Sequence, residues 1–144
     1  MKTRMNLFAV EKEGYQACLA LEKYLTTTEV TNLHKELIKI RASQINGCAF
    51  CLDMHTKDAR KNGETEQRIY TVSAWRDTPF FSPEEQAILA LTEEVTLISN
   101  HVSDATYDNA VAVLGEKYTA QVIMSIVAIN CWNRIAISTG MMPQ

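Results

Sequence analysis

The sequence predicts an all-α fold, a bundle of about six to seven helices, and three observations lead there. Among 144 residues there are only 3 prolines and 5 glycines, too few interruptions for a turn-rich β-sandwich. Apolar residues recur at helical spacing along most of the chain, and period-two alternation is nearly absent. Helix starts and stops also punctuate the sequence at regular intervals, most clearly at Ser82-Pro83-Glu84-Glu85, where Ser caps, Pro takes the first helical position and Glu the third.

Taken in order, a first helix runs from about Ala9 to Leu25, with Tyr15, Cys18, Leu21 and Leu25 near one face. Leu19 widens that stripe, while Glu22 and Lys23 interrupt it with charge. The β-branched Thr26-Thr27-Thr28 ends it, and Thr28 is positioned to cap a second helix, Glu29 to Ser43, carrying Val30, Leu33, Leu37 and Ile40. Asn46 is the expected cap of a third helix, closed near Asn62-Gly63 by a glycine that accepts the left-handed conformation. A short helix, Thr65 to Trp75, leads to a loop at Arg76–Pro79. The Ser82 helix continues to about Ser99, Ser103 caps the next up to Gly115, and Thr119 opens the last, ending near Gly140.

No repeat or long polar linker divides the chain, so residues 1–144 read as one domain of ordinary size. Such a length buries roughly 68–70% of the surface its unfolded chain exposes. Hydrophobic residues make up 47% and charged residues 22%, and 14 Lys and Arg against 17 Asp and Glu leave a net charge of −3. That balance supplies no field for nucleic acid or an anionic membrane. Glu11 and Glu13 interrupt the N-terminus before a signal-type apolar run develops. The most apolar stretch, Val122 to Ile129, is far short of the ~20 residues a span needs. A cytoplasmic protein is the expectation.

Four cysteines in such a chain do not form a disulfide framework. Cys18 and Cys131 stand alone on helix-like segments and read as small buried hydrophobes. Cys48 and Cys51 form a Cys-x-x-Cys, and His55 follows four residues on, so two thiols and an imidazole share one helix face. Glu36 lies in the preceding helix, and the short 44–47 connection makes those two helices neighbours. A thiol attacks only as thiolate, from an ordinary pKa of ~8.5. A helix start favours that anion, while His55 and Glu36 are the groups to take its proton. Once one sulfur becomes a sulfenic acid, the thiol one turn away can condense with it to a disulfide.

Other uses of the pair fit less well. Structural zinc wants four ligands, usually as two separated pairs, and c-type haem attachment wants His where Leu52 stands. A thioredoxin-like site needs a βαβ setting. His34 and His101 read as surface residues, and Trp75, Trp132, Asn133 and Arg134 as packing.

The run from Glu36 through Asn46-Gly47-Cys48-Ala49-Phe50-Cys51-Leu52-Asp53-Met54-His55 resembles the core motif of the AhpD-like alkylhydroperoxidases, within the carboxymuconolactone decarboxylase superfamily. The likeness continues at Thr56–Arg60, Gly63, Trp75–Thr78, Phe81–Glu84 and Asn130–Ile135, most of the chain beyond about residue 30. It implies an all-helical fold assembling as homo-oligomers, trimers or hexamers. It also implies reduction of hydroperoxides by the cysteine pair without metal, haem or other cofactor. On the motif, Cys51 matches the attacking cysteine, Cys48 its disulfide partner, and Glu36 and His55 the proton relay. The electron donor would be a dithiol of lipoyl or thioredoxin type. Where the best-studied members have His before the second cysteine, this chain has Phe50. The helix-start argument activates Cys48 and the histidine argument Cys51. We take Cys51 as attacker, because a base one turn away outweighs a dipole worth roughly 0.3–1 kcal/mol.

Two alternatives stay open at this stage. One is a lactone-acid decarboxylase, which would need a cationic pocket from Arg41 or Arg134. The other is a non-enzymatic oligomer whose disulfide senses redox state.

Overall fold

The computed structural model describes residues 2–143, and among them every regular element is helical. The order is α1 (Leu7–Val10), α2 (Lys12–Leu25), α3 (Asn32–Asn46), α4 (Ala49–Lys61), α5 (Glu66–Thr71), α6 (Pro83–Thr96), α7 (Asp104–Leu114) and α8 (Glu116–Thr139). Two 3₁₀ turns, Val72–Asp77 and Ile98–Asn100, join the series. The all-α class holds, with eight α-helices among the described residues where the sequence predicts about six to seven.

α3 lies at the centre, packed on α4, α6 and α8. Ile38 and Ala42 enter a core cluster with Ile88, Leu91, Ile126 and Ile129, while Leu37 and Ile40 enter a second with Leu89, Val72, Trp75 and Phe81. A helix covered on opposite faces is a core helix, which is why its polar residues Glu36 and Ser43 are buried too. The 24-residue α8 is long and apolar enough, on length and composition, to cross a membrane. Here Val122, Ile126, Ala128 and Ile129 are buried, and α8 packs along α2, α3, α6 and α7.

The boundaries shift where a different residue wins the cap. The predicted first helix breaks at Glu11, whose carboxylate accepts from the Gly14 N–H and starts α2. Thr26, Thr27 and Thr28 donate their hydroxyls to the carbonyls of Lys23, Tyr24 and Leu25 and so close α2. Thr31, not Thr28, then caps α3 by accepting from the His34 N–H. The predicted Thr65–Trp75 helix becomes α5 plus a 3₁₀ turn that reaches Asp77. α8 starts at Glu116, leaving Thr119 buried inside its first turns. The capping box at Ser82 and Glu85 forms as the sequence predicts.

His34 is half-buried rather than a surface residue. Its Nδ1 meets the Tyr118 hydroxyl at 2.7 Å, and burial pulls its pKa below the ordinary value. His101 is exposed.

Glu93 knots three elements together. Its carboxylate accepts from Arg41 Nε at 2.8 Å, Trp75 Nε1 at 3.0 Å and Arg76 Nη1 at 2.5 Å. Burial tends to raise its pKa, but the bonds from Arg76, Trp75 and Arg41 outweigh it and hold the carboxyl below its ordinary value of 4.5. A depressed carboxylate contributes stability that is full above the unfolded-state pKa and lost as pH falls through the folded one. Glu93→Gln should therefore cost about 2 kcal/mol at neutral pH, the worth of charge-assisted bonds. The difference from the parent should shrink in denaturant titrations carried out at pH 3.

At the far end, Gly140 closes α8 with φ +70°. The chain's first described residues lie across it, Arg4 donating its backbone N–H to Thr139 O at 2.9 Å and its guanidinium to Ser138 O at 2.8 Å. A Cβ on Gly140 would collide with the Lys2 carbonyl oxygen. Gly140→Ala should cost roughly 1–3 kcal/mol from the left-handed backbone alone, with the collision added. Thermal unfolding should show a midpoint several degrees lower.

Candidate active site

The site is built where α3 hands over to α4. Asn46 is the last residue of α3, not the cap of α4. Gly47, at φ 71°, turns the chain, and the N–H groups of Gly47 and Cys48 return to the carbonyls of Gln44 and Ser43 in a Schellman closure. Asn46 is drawn away to α8, its amide donating to Asn133 Oδ1 at 2.9 Å and Asn130 Oδ1 at 3.0 Å. Asn133 in turn donates to Ser43 Oγ at 3.0 Å. The cap of α4 is Cys48, whose sulfur accepts from the Cys51 N–H at 3.3 Å.

Cys48 and Cys51 are joined as a disulfide. Both are buried, in a small cluster with Ala136 of α8, flanked by Phe50 and Ile137. One turn beyond Cys51, the buried His55 places Nδ1 at 3.1 Å from Oε2 of the buried Glu36. Glu36 Oε1 is 3.5 Å from Lys39 Nζ, which lies 4.0 Å from Glu22 on α2. Glu22 also accepts from Trp132 Nε1 of α8 at 3.0 Å. A row of ionisable groups thus runs from α2 across α3 to the imidazole on α4.

This row borders a pocket of about 300 Å³. Its apolar walls are Tyr15, Leu19, Phe50, Met54, Trp132, Ala136 and Met141, and its reactive lining is Cys51 and His55, with Glu22 and Lys39 beside them. Cys51 is part of this lining and Cys48 is not. Phe50 supplies apolar wall.

Several residues take places the sequence reading missed. Glu22 and Lys39 enter the pocket; the charged Glu22-Lys23 interruption in the apolar stripe of α2 and a Glu-Lys pair three apart on α3 were the available signals. Trp132 lines the pocket instead of only packing. Trp75 is buried against Glu93, Asn133 is buried, and Arg134 is exposed. Cys18 and Cys131 are not isolated core residues: both are half-buried, with sulfurs 3.3 Å apart. Asp58, one turn past His55, brings a carboxylate oxygen near the Glu36–His55 pair, the three ligand-type atoms lying within 4.8 Å of one another. That trio is the set in the site able to hold a divalent cation, although the His55–Glu36 bond already satisfies two of its members.

Residues 13–94 match the model of the carboxymuconolactone decarboxylase family. The chain is 46% identical over 141 residues to YdfG of Bacillus subtilis strain 168, an uncharacterised protein, covering 97% of this chain and 96% of that one. A crystal structure from Agrobacterium tumefaciens, of a protein of unknown function proposed to be the antioxidant defence protein AhpD, superposes with a TM-score of 0.96 at 37% identity over 99% of both chains. The debrominase Bmp8, in complex with 2,3,4-tribromopyrrole, shares the fold at a TM-score of 0.85 and 14% identity, over 95% of this chain and 74% of that one. With the family model covering more than half its length and a near-complete superposition on an AhpD-type structure, the chain belongs to the carboxymuconolactone decarboxylase family as an AhpD-like member.

Proposed function

We propose that this protein is a thiol-dependent peroxidase that reduces organic hydroperoxides through Cys48 and Cys51. The observation carrying this reading is a cysteine pair at the wall of an apolar pocket, one turn from a buried His55–Glu36 couple.

In the reduced enzyme, Cys51 lines the pocket in the first turn of α4, one turn before His55, and reacts as its thiolate. The proton passes to His55, and Glu36 orients the ring and stabilises the resulting cation. The Cys51 sulfur attacks one peroxide oxygen and the O–O bond breaks. The alkoxide leaves as alcohol, taking a proton from the relay. The Cys51 sulfenic acid is then attacked by the Cys48 thiol, the S–S bond forms and water departs. A dithiol of lipoyl or thioredoxin type returns two electrons and two protons. The apolar walls suit the organic part of an alkyl hydroperoxide.

The reading is tested by following loss of an alkyl hydroperoxide by purified protein with a dithiol reductant. Turnover that persists after both cysteines are alkylated would sink it. The lactone-acid alternative is less well served: Arg41 is engaged by Glu93 and Arg134 lies exposed on α8, bonded to Asn130. Assembly as a trimer or hexamer, by likeness to the family, belongs to the same proposal and is checked by light scattering.

A further inference from the structure

The seam between α2 and α8 holds two cysteines that the peroxidase chemistry above does not use. Cys18 on α2 and Cys131 on α8 are 113 residues apart in sequence, yet their sulfurs lie 3.3 Å from each other. A disulfide needs about 2.05 Å, so closing this pair asks for roughly an ångström of side-chain movement. Both thiols are half-buried and free. The seam they occupy is lightly built: Leu25 is the one buried residue of α2. Around the pair, Tyr15 meets the edge of Trp132 at 5.2 Å between ring centroids, and Glu22 bonds the same indole. Tyr15, Leu19 and Glu22 are the α2 wall of the pocket.

We propose that Cys18 and Cys131 are a second redox site, oxidised by hydroperoxide to a disulfide that pins α2, and with it one pocket wall, to α8. The Cys18 sulfur attacks a peroxide oxygen, the O–O bond breaks, and the alcohol leaves with a proton. The Cys18 sulfenic acid then condenses with the Cys131 thiol, forming the S–S bond and releasing water. Two thiols lose two electrons and two protons, and the hydroperoxide takes them up. Cys131 is the second thiol to react, because burial, then its contact with Cys18, push its pKa up to about 11, with Glu22 reinforcing and Arg134 opposing. A thiol held so firmly protonated reacts slowly. Closing a 113-residue loop also restricts the unfolded chain, so the oxidised form is the harder to unfold.

The tryptic map separates the two sites. Cys48 and Cys51 share peptide 42–57, while Cys18 lies in 13–23 and Cys131 in 118–134. The full-length parent and a Cys48→Ser/Cys51→Ser double variant would be reduced, freed of reductant, treated with excess cumene hydroperoxide, alkylated and digested without reduction. In both, peptides 13–23 and 118–134 are expected as one linked species within a single chain. The link should be absent in Cys18→Ser, and the oxidised parent should melt higher than oxidised Cys18→Ser. Its appearance in the double variant is independent of any turnover by Cys48 and Cys51, so failure of the peroxidase reading would leave this result standing. Three results would overturn the proposal: both peptides still fully alkylated, a link only between chains, or a link in the parent that vanishes in the double variant.

Discussion

Cys51→Ser should reduce hydroperoxide turnover to the uncatalysed background, a loss on the order of 10⁴-fold or more, as expected when a nucleophile is removed. A hydroxyl at that position is a far weaker nucleophile toward a peroxide O–O bond than a thiolate, and oxygen does not form the sulfenic acid on which the cycle depends. Cys48→Ser is expected to behave differently. Its Cys51 still faces the pocket and can be oxidised once, but no neighbouring thiol condenses with it. One equivalent of peroxide should be consumed rapidly at Cys51 and then almost none there, with a sulfenic acid trapped on peptide 42–57 by a dimedone-type reagent. Equal steady-state activity in the two serine variants and the parent would remove Cys48 and Cys51 from the mechanism.

Glu36→Gln is the second large effect. The amide is nearly the size of the carboxylate and can still meet His55 Nδ1, at 3.1 Å in the parent, so α3 and its core contacts should be kept. What disappears is the charge that stabilises a protonated imidazole. General acid–base contributions run to about 10²–10⁴-fold, and the loss should lie in that range, mostly in kcat/KM for hydroperoxide. His55→Ala should cost a similar factor. The pair act as one unit, so the double variant should be little worse than either single one. An additive double variant would mean that Glu36 works independently of His55. Lys39, which also approaches Glu36, loses a partner in Glu36→Gln, so thermal unfolding is needed alongside to separate stability from rate.

The sequence made the helical class and the order of the main helices readable because their signals are local. Ser82, Pro83 and Glu85 carry a complete helix start within four residues, and the structure forms it. The cap of α4 shifted for a tertiary reason. Asn46 is a good cap in isolation, but Asn130 and Asn133 on α8 compete for its side chain, and Cys48 takes its role. The nearness of Glu36 to His55 was readable from a short connection between two helices. Glu22, Lys39 and Trp132 were not, since they meet only through packing of α2 and α8 around the pocket. The Cys18–Cys131 contact lies further still from anything sequence spacing reveals, because two distant helices must first be assembled.

The sulfur cap on α4 has a consequence for handling the protein. Serine is among the favoured residues at a helix start, and its hydroxyl oxygen is a better acceptor than thioether-like sulfur. Substituting it at position 48 should leave the local fold at least as well anchored, with crystallisable, monodisperse material and an unaltered circular dichroism spectrum. At this one position, the atom used for chemistry and the atom used for folding can be exchanged separately, so a stalled catalyst need not be a damaged one.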